Sequence, residues 1–357
     1  MPAISMWMAL ACSSATDSAA PAPLPDGVAF VVADNTAVRV HAEDGSPIAS
    51  LTWATIAPEH CGTPGTCQGY GTGSDGAQLL GTWDGPDSGG FVGLSLEGDA
   101  LSIDWTAEGF AFPHDIAADP LSRSVLVAET GRERLLWFDP VTHLVSAKLG
   151  MGVSTWGPRR APNATEIYES DGRVYLLVTN RLTQEFEGEP AGSVTLWDVT
   201  EPHRAQELWV FPETGHLYTP HGGRLAQVDG QWWLMIAHSR GFDNEGSISL
   251  AATDDLDVVP AYHADLALPA PGLAYPRGVD LRGEHLWITD AGRFDDPSGV
   301  VYRTELPDTA PSGLTGAYEE GLAQQVRIEL DDPQPILEDL DFPFDGWWWT
   351  TAPLDGP

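Results

Sequence analysis

The chain has 357 residues, with 38 glycines and 29 prolines, a composition that favours many short strands joined by turns over long helices. Its 52 acidic residues against 17 basic ones give a formal net charge of -35. Such a surface repels phosphate backbones, which excludes a nucleic-acid partner. Lys148 is the sole lysine; the other basic residues are arginines.

The first segment, "MPAISMWMALAC", is short and apolar and ends in small residues before Cys12. A polar Ser/Ala/Pro run, "SSATDSAAPAPLPDG", follows. Together they resemble a bacterial lipoprotein signal: residues 1–12 are the signal segment, 13–27 a tether, and Cys12 the lipidated residue. Ser13 after that cysteine resembles lipoproteins sorted to the outer membrane. The chain is therefore expected to be exported and held at a membrane by lipid alone, because no later segment is long and apolar enough to span a bilayer. Cys61 and Cys67 in "HCGTPGTCQGYG" flank a Gly/Pro turn at a spacing that suits a small disulfide loop. A pair of free thiols is the alternative.

From residue 28 onward short apolar runs bounded by Gly, Asp or Pro recur, as expected of strands. "VAFVVADN" and "AVRVHAEDG" come first, then "GYGTGSDG", "AQLLGTWD" and "GFVGLSL". A clearer unit starts at Pro113: "PHDIAAD", "SVLVAET", "RLLWFDP" and "LVSAKLG". It repeats from Pro162 as "PNATEIYES", "RVYLLVTNR", "SVTLWDVTE" and "QELWVFP". It repeats again from Pro220 ("PHGGRLAQV", "QWWLMIAHS", "GSISLAAT") and from Pro276 ("PRGVDLR", "EHLWITDAG", "GVVYRTEL"). "GLTGAYEEGLAQQ" reads as an insertion with a turn or two of helix. "FPFDGWWWTTAPL" starts a last copy at Pro343 and runs out of chain.

Copies of roughly 45–65 residues with four short strands each are the mark of a β-propeller. The expected fold is all-β: a single propeller over residues 28–357, with six four-stranded blades. The N-terminal strands complete the last blade, which leaves no open sheet edge. Seven blades with one degenerate copy is the alternative.

The first strand of a blade lines the central channel, and in an antiparallel pair its start lies beside the end of the second strand. The residue after each opening proline is therefore expected at one channel mouth: His114, Asn163, His221, Arg277 and Phe344. The second-strand ends share that face: Glu129 with Arg132, Asn180 with Arg181, His238 with Arg240, and Asp290 with Arg293. Arginine's planar fork suits sulfate, phosphate or carboxylate, so Arg132, Arg181, Arg240, Arg277 and Arg293 point to a small anion. The competing reading is that each arginine pairs with a nearby acid.

Four segments in order, "GGFVGLSLEGDALSIDW", "PHDIAADPLSRSVLVAE", "PNATEIYESDGRVYLLVTNR" and "PHGGRLAQVDGQWWLMIAHSRG", resemble the arylsulfotransferase-type propellers. Enzymes of that family move a sulfuryl group between phenols through a transiently sulfated histidine. The resemblance implies that His221 is that nucleophile, with His114, Asn163 and Arg181 as its catalytic partners, and Arg277, His238, Arg240, Arg293 and Arg132 around the substrate. The family has a further histidine where this chain has Ala161. A small anionic or aromatic sulfated molecule is the expected partner of a monomer that needs no cofactor and no metal.

Two other readings stand beside this one. "YPRGVDLRGEHLWITDAGR" resembles the gluconolactonase-like and NHL-like repeat, in which Glu129, Asn163 and Asp290 would hold a divalent cation. A non-catalytic binding or scaffold propeller is the other.

Overall fold

A computed structural model describes residues 30–341, apart from 35, 43–45, 63–66, 75–77, 120–121, 123, 153–158, 187–188, 213–216, 219, 229, 241–244, 267–272, 274, 283–284, 291–299, 306–324 and 330–336. Cys12, Arg293, Pro343 and Phe344 lie outside the described residues, as do the lipoprotein-like segment and most of the expected insertion.

The strands form six antiparallel sheets. Blade 1 runs through Gln68–Ser74, Leu79–Asp84, Gly89–Glu97 and Ala100–Phe110. Blade 2 follows with Pro113–Ala118, Val125–Glu129, Arg134–Asp139 and Leu144–Gly150. Blade 3 comprises Arg160–Ser170, Arg173–Phe186, Glu189–Asp198 and Gln206–Phe211, with Leu217–Tyr218 added beside its third strand. Blade 4 is Pro220–Val228, Gln231–Arg240, Glu245–Thr253 and Ala261–Leu266. Blade 5 is Pro276–Arg282, His285–Asp290, Val300–Glu305 and Gln325–Glu329. Blade 6 joins the two ends of the chain: Leu337–Asp341 pairs with Phe30–Asp34, which continues into Ala37–His41 and Pro47–Thr52. The first strand of each blade contacts the first strand of the next, around to the contact of Leu337–Asp341 with Gln68–Ser74. The protein is a six-bladed propeller closed by its N-terminal strands.

Second strands read as unbroken apolar runs because both of their faces are covered. In blade 3, Leu176 and Val178 pack toward blade 2, whereas Tyr175 and Leu177 pack toward blade 4. In blade 4, Trp233 and Met235 face blade 5, and Trp232 and Leu234 face blade 3. The core is therefore divided into apolar layers between neighbouring blades.

Two short helices, Trp53–Ile56 and Pro58–Cys61, lead from blade 6 into blade 1. The Cys61–Cys67 disulfide closes the loop after them. Among the inner strands, buried polar links replace a backbone ladder. Arg224 of blade 4 bridges Glu166 of blade 3 and Asp280 of blade 5, the latter at 2.9 Å. Asp115 of blade 2 accepts from Thr165 N at 2.5 Å and Thr165 Oγ1 at 3.1 Å in blade 3.

Candidate functional site

Strand register explains the residues that follow the opening prolines. Pro113 pairs with Glu129 and Asp115 with Ala128, so His114 is an extra residue with no partner. Asn163 is extra in the same way between Pro162 and Ala164, and Arg277 between Pro276 and Gly278. In blade 4, His221 and Gly222 stand opposite Ala237 alone. Each is a β-bulge, a local kink that re-aims one side chain and recurs beside active sites. The bulges are secured from the second strand: Thr82 Oγ1 accepts from Gly71 N at 2.8 Å, and Thr289 Oγ1 from Gly278 N at 2.7 Å.

Two members of the ring escaped the sequence pattern. In blade 1 Tyr70 and Gly71 bulge opposite Thr82, behind Gly69 rather than a proline. In blade 6 Leu337 pairs with Asp34 and Asp339 with Ala33, which makes Glu338 the extra residue. The extra residue of blade 6 is therefore Glu338, and the expected Phe344 lies outside the described residues. The signal was the Glu338-Asp339-Leu340 run, which parallels His114-Asp115-Ile116.

Five of the six bulge residues, Tyr70, His114, Asn163, His221 and Arg277, line one small pocket that opens to solvent. Within it, Arg277 Nη1 lies 2.9 Å from His221 Nδ1, and Asn163 Nδ2 lies 3.2 Å from the same atom. The Asn163 amide is oriented by the carbonyl of Pro220, 3.4 Å from Nδ2. A guanidinium only donates, so Nδ1 carries the lone pair and Nε2 the proton. Nε2 then donates to Tyr275 Oη at 2.9 Å. The Arg277 guanidinium stacks over the Tyr275 ring, 4.2 Å from its centroid. On the opposite wall Tyr70, Phe112 and His114 form an aromatic cluster with centroids 4.8–5.3 Å apart.

Both imidazoles are neutral. Burial holds the His114 pKa down to about 3, helped by the charges of Arg277 and Arg181. Burial, Arg277, His114 and Arg181 in that order push His221 well below the ordinary histidine value. Arg181 itself is exposed at the rim, where it pairs with Ala161 and Gly192 in the ladder, and its charge reaches both rings. Asp115, beside His114, has its pKa raised by burial and by Glu166.

The second-strand ends are occupied by structural bonds. Glu129 is buried and accepts from Ala111 N at 2.9 Å, from Arg132 at 2.6 Å and from Arg134. The paired-acid reading therefore holds for Arg132, and Glu129 is engaged by two arginines rather than open to a divalent cation. Asn180 bonds Thr195 and Val178 in its own sheet, at 3.0 and 3.1 Å. His238 bonds Ser249 and Ser247, at 2.6 and 3.1 Å, and takes no part in the pocket lining. Asp290 accepts from Tyr275 N at 2.7 Å. Arg240 ends the second strand of blade 4. No group of three or more His, Cys, Asp or Glu side chains is arranged to hold a metal among the described residues.

No family model and no curated protein matches the sequence. The fold is similar to that in the nidogen/laminin complex, at 14% identity over 88% of this chain and 97% of that one, with a TM-score of 0.54. A candidate 6-phosphogluconolactonase from Bacteroides uniformis is similar at 12% identity, over 89% of this chain and 100% of that one, with a TM-score of 0.53. Kuenenia stuttgartiensis hydrazine synthase matches at 14% identity over 95% and 94% of the two chains, with a TM-score of 0.52. At these identities the likeness establishes the propeller fold alone.

Proposed function

We propose that the mouth binds an anionic ester and moves its sulfuryl group through His221, in the manner of arylsulfotransferase-type propellers. The observation that supports this is the lone pair of His221 Nδ1, which meets N–H groups of Arg277 and Asn163. An entering sulfuryl group would draw both N–H groups off Nδ1 onto its own oxygens, which frees the lone pair for sulfur. Donors aimed at developing charge are the commonest large source of transition-state stabilisation.

In the first half-reaction Nδ1 attacks sulfur, the S–O(aryl) bond breaks, and the phenolate leaves with its electron pair. The adduct is an N-sulfo imidazolium, zwitterionic and neutral overall, that keeps its Nε2 proton. In the second, an acceptor phenol loses its proton to His114 while its oxygen attacks sulfur, and the N–S electron pair returns to Nδ1. An imidazole with a pKa of about 3 is unprotonated at neutral pH, so His114 cannot start as an acid and can only accept the phenol's proton as the new O–S bond forms, as a weak base. It was expected from sequence as either acid or base. The family's additional histidine has no counterpart here, since Ala161 is buried opposite Arg181.

The test is incubation with nitrophenyl sulfate and a second phenol. Nitrophenolate release that needs the acceptor, together with a gain of one sulfo group on His221, would support transfer. Salt-sensitive binding with no release would leave a binding module instead.

Export and a lipid anchor at Cys12 are part of the same proposal. The Cys61–Cys67 bond supports an oxidising compartment. Globomycin should block processing of the full-length chain; unprocessed mature protein without a lipid would refute the anchor.

A further inference from the structure

We infer that Tyr275, which neither composition nor motif singled out, is a positioning residue that holds the His221 ring with Nδ1 toward the anion donors. This rests on the transfer reading for its consequence but on geometry alone for its premise. Tyr275 stands just before Pro276, outside the strand, and is fixed by two contacts besides the one to the imidazole. Its backbone N–H is held by Asp290 at 2.7 Å, and its ring lies under the Arg277 guanidinium at 4.2 Å. The hydroxyl is thereby presented to His221 Nε2 at 2.9 Å, with the two rings nearly edge to face at 68°.

The pairing has two effects. A half-buried Nε2–H finds an acceptor instead of being left unsatisfied. The imidazole also cannot turn over about its Cβ–Cγ bond without losing the Tyr275, Arg277 and Asn163 contacts together. One face of the ring is thus committed to Tyr275, and only Nδ1 faces the anion donors.

The experiment is a two-bond proton–nitrogen NMR spectrum of histidine-labelled protein, with His221 assigned through His221→Gln. Wild type is expected to have a bare Nδ1 and a protonated Nε2 at neutral pH. Tyr275→Phe keeps the ring beneath Arg277 and removes only the hydroxyl, so the Nε2 shift should move as its hydrogen bond is lost, while Arg277 and Asn163 keep Nδ1 bare. Transfer should fall roughly tenfold in kcat, the worth of about one neutral hydrogen bond, with KM little changed. A bare Nε2 in wild type, or a Tyr275→Phe spectrum identical to wild type, would overturn the inference. If Tyr275→Phe fails to fold, the wild-type spectrum still decides. Mapping the sulfo adduct separates the two ideas. An adduct on Nε2 sinks the role of Tyr275 while leaving transfer intact. No adduct, with the expected spectrum, sinks transfer while leaving the positioning role intact.

Discussion

Arg277 of blade 5 donates across 2.9 Å to Nδ1 of His221 in blade 4, so a permanent cation faces the lone pair of the neighbouring imidazole. Both residues are the extra members of β-bulges, and the bulges turn them toward each other across the channel mouth. Arg277 also lowers the pKa of both pocket histidines. Arg277→Ala should therefore raise both histidine pKa values, read by NMR titration, while costing transfer about 2–4 kcal/mol of transition-state stabilisation. Unchanged titration would mean that the guanidinium does not face the ring.

His114 makes stability depend on pH. Its folded pKa of about 3 lies below the ordinary 6.5, so between those values the unfolded chain binds a proton that the folded one refuses. Stability therefore falls as pH drops through that window, with a limiting slope of about 1.4 kcal/mol per pH unit for this one residue. His114→Gln removes the term. Urea midpoints of wild type should fall more steeply than those of the variant on acidification below pH 6.5. Parallel curves would contradict the burial of a neutral imidazole.

Gly222 allows the inner strands of blades 4 and 5 to meet. A Cβ there would stand 2.5 Å from the Arg277 carbonyl oxygen, and at Gly71 one would stand 2.4 Å from Asp115 Cα. Backbone cannot yield as a side-chain tip does, so Gly222→Ala and Gly71→Ala should each cost about 1–3 kcal/mol by overpacking. Because both strands carry pocket residues, anion binding should weaken as well. Thermal unfolding and sulfate titration of the two variants would check this, and wild-type behaviour in both would refute the close approach.

The arginines should differ sharply in effect. Arg132 is half exposed and pairs with Glu129, so Arg132→Ala should leave transfer unchanged and alter stability by about 1 kcal/mol or less. Arg181→Ala should slow transfer, because its charge reaches both imidazoles. Asn163→Ala should slow it too, through loss of a donor to Nδ1. Equal effects of Arg132→Ala and Arg181→Ala on kcat/KM would mean that the rim acts only as a diffuse field.

The prolines made four of the ring positions legible, since proline suits the first residue of a strand, as at Pro113, Pro220 and Pro276, and the bulge follows at once; at Pro162 it also follows, although that strand starts at Arg160. Tyr70 and Glu338 were hidden because Gly69 and Leu337 stand in the place of proline. The second-strand run Val174–Val178 was plain because neighbouring blades cover both of its faces. The outermost strands Ala261–Leu266 and Gln325–Glu329 were not, because an edge strand needs little apolar surface. Sequence placed Glu129, His238 and Asp290 at or near the end of their strands, whereas Asn180 lies within Arg173–Phe186, and it did not give their partners. Those bonds run to adjoining turns and the adjacent strand of the same sheet, and depend on a register that spacing alone does not give. Tyr275 was invisible for another reason: its partner His221 is 54 residues away.

Intact mass and peptide mapping after brief exposure to nitrophenyl sulfate without acceptor bear most directly on the chemistry of the mouth. A single added sulfo group on His221, discharged when a phenol is supplied and absent from His221→Gln, is the expected result. An unmodified chain, or a sulfo group on any residue other than His221, would contradict transfer through this histidine.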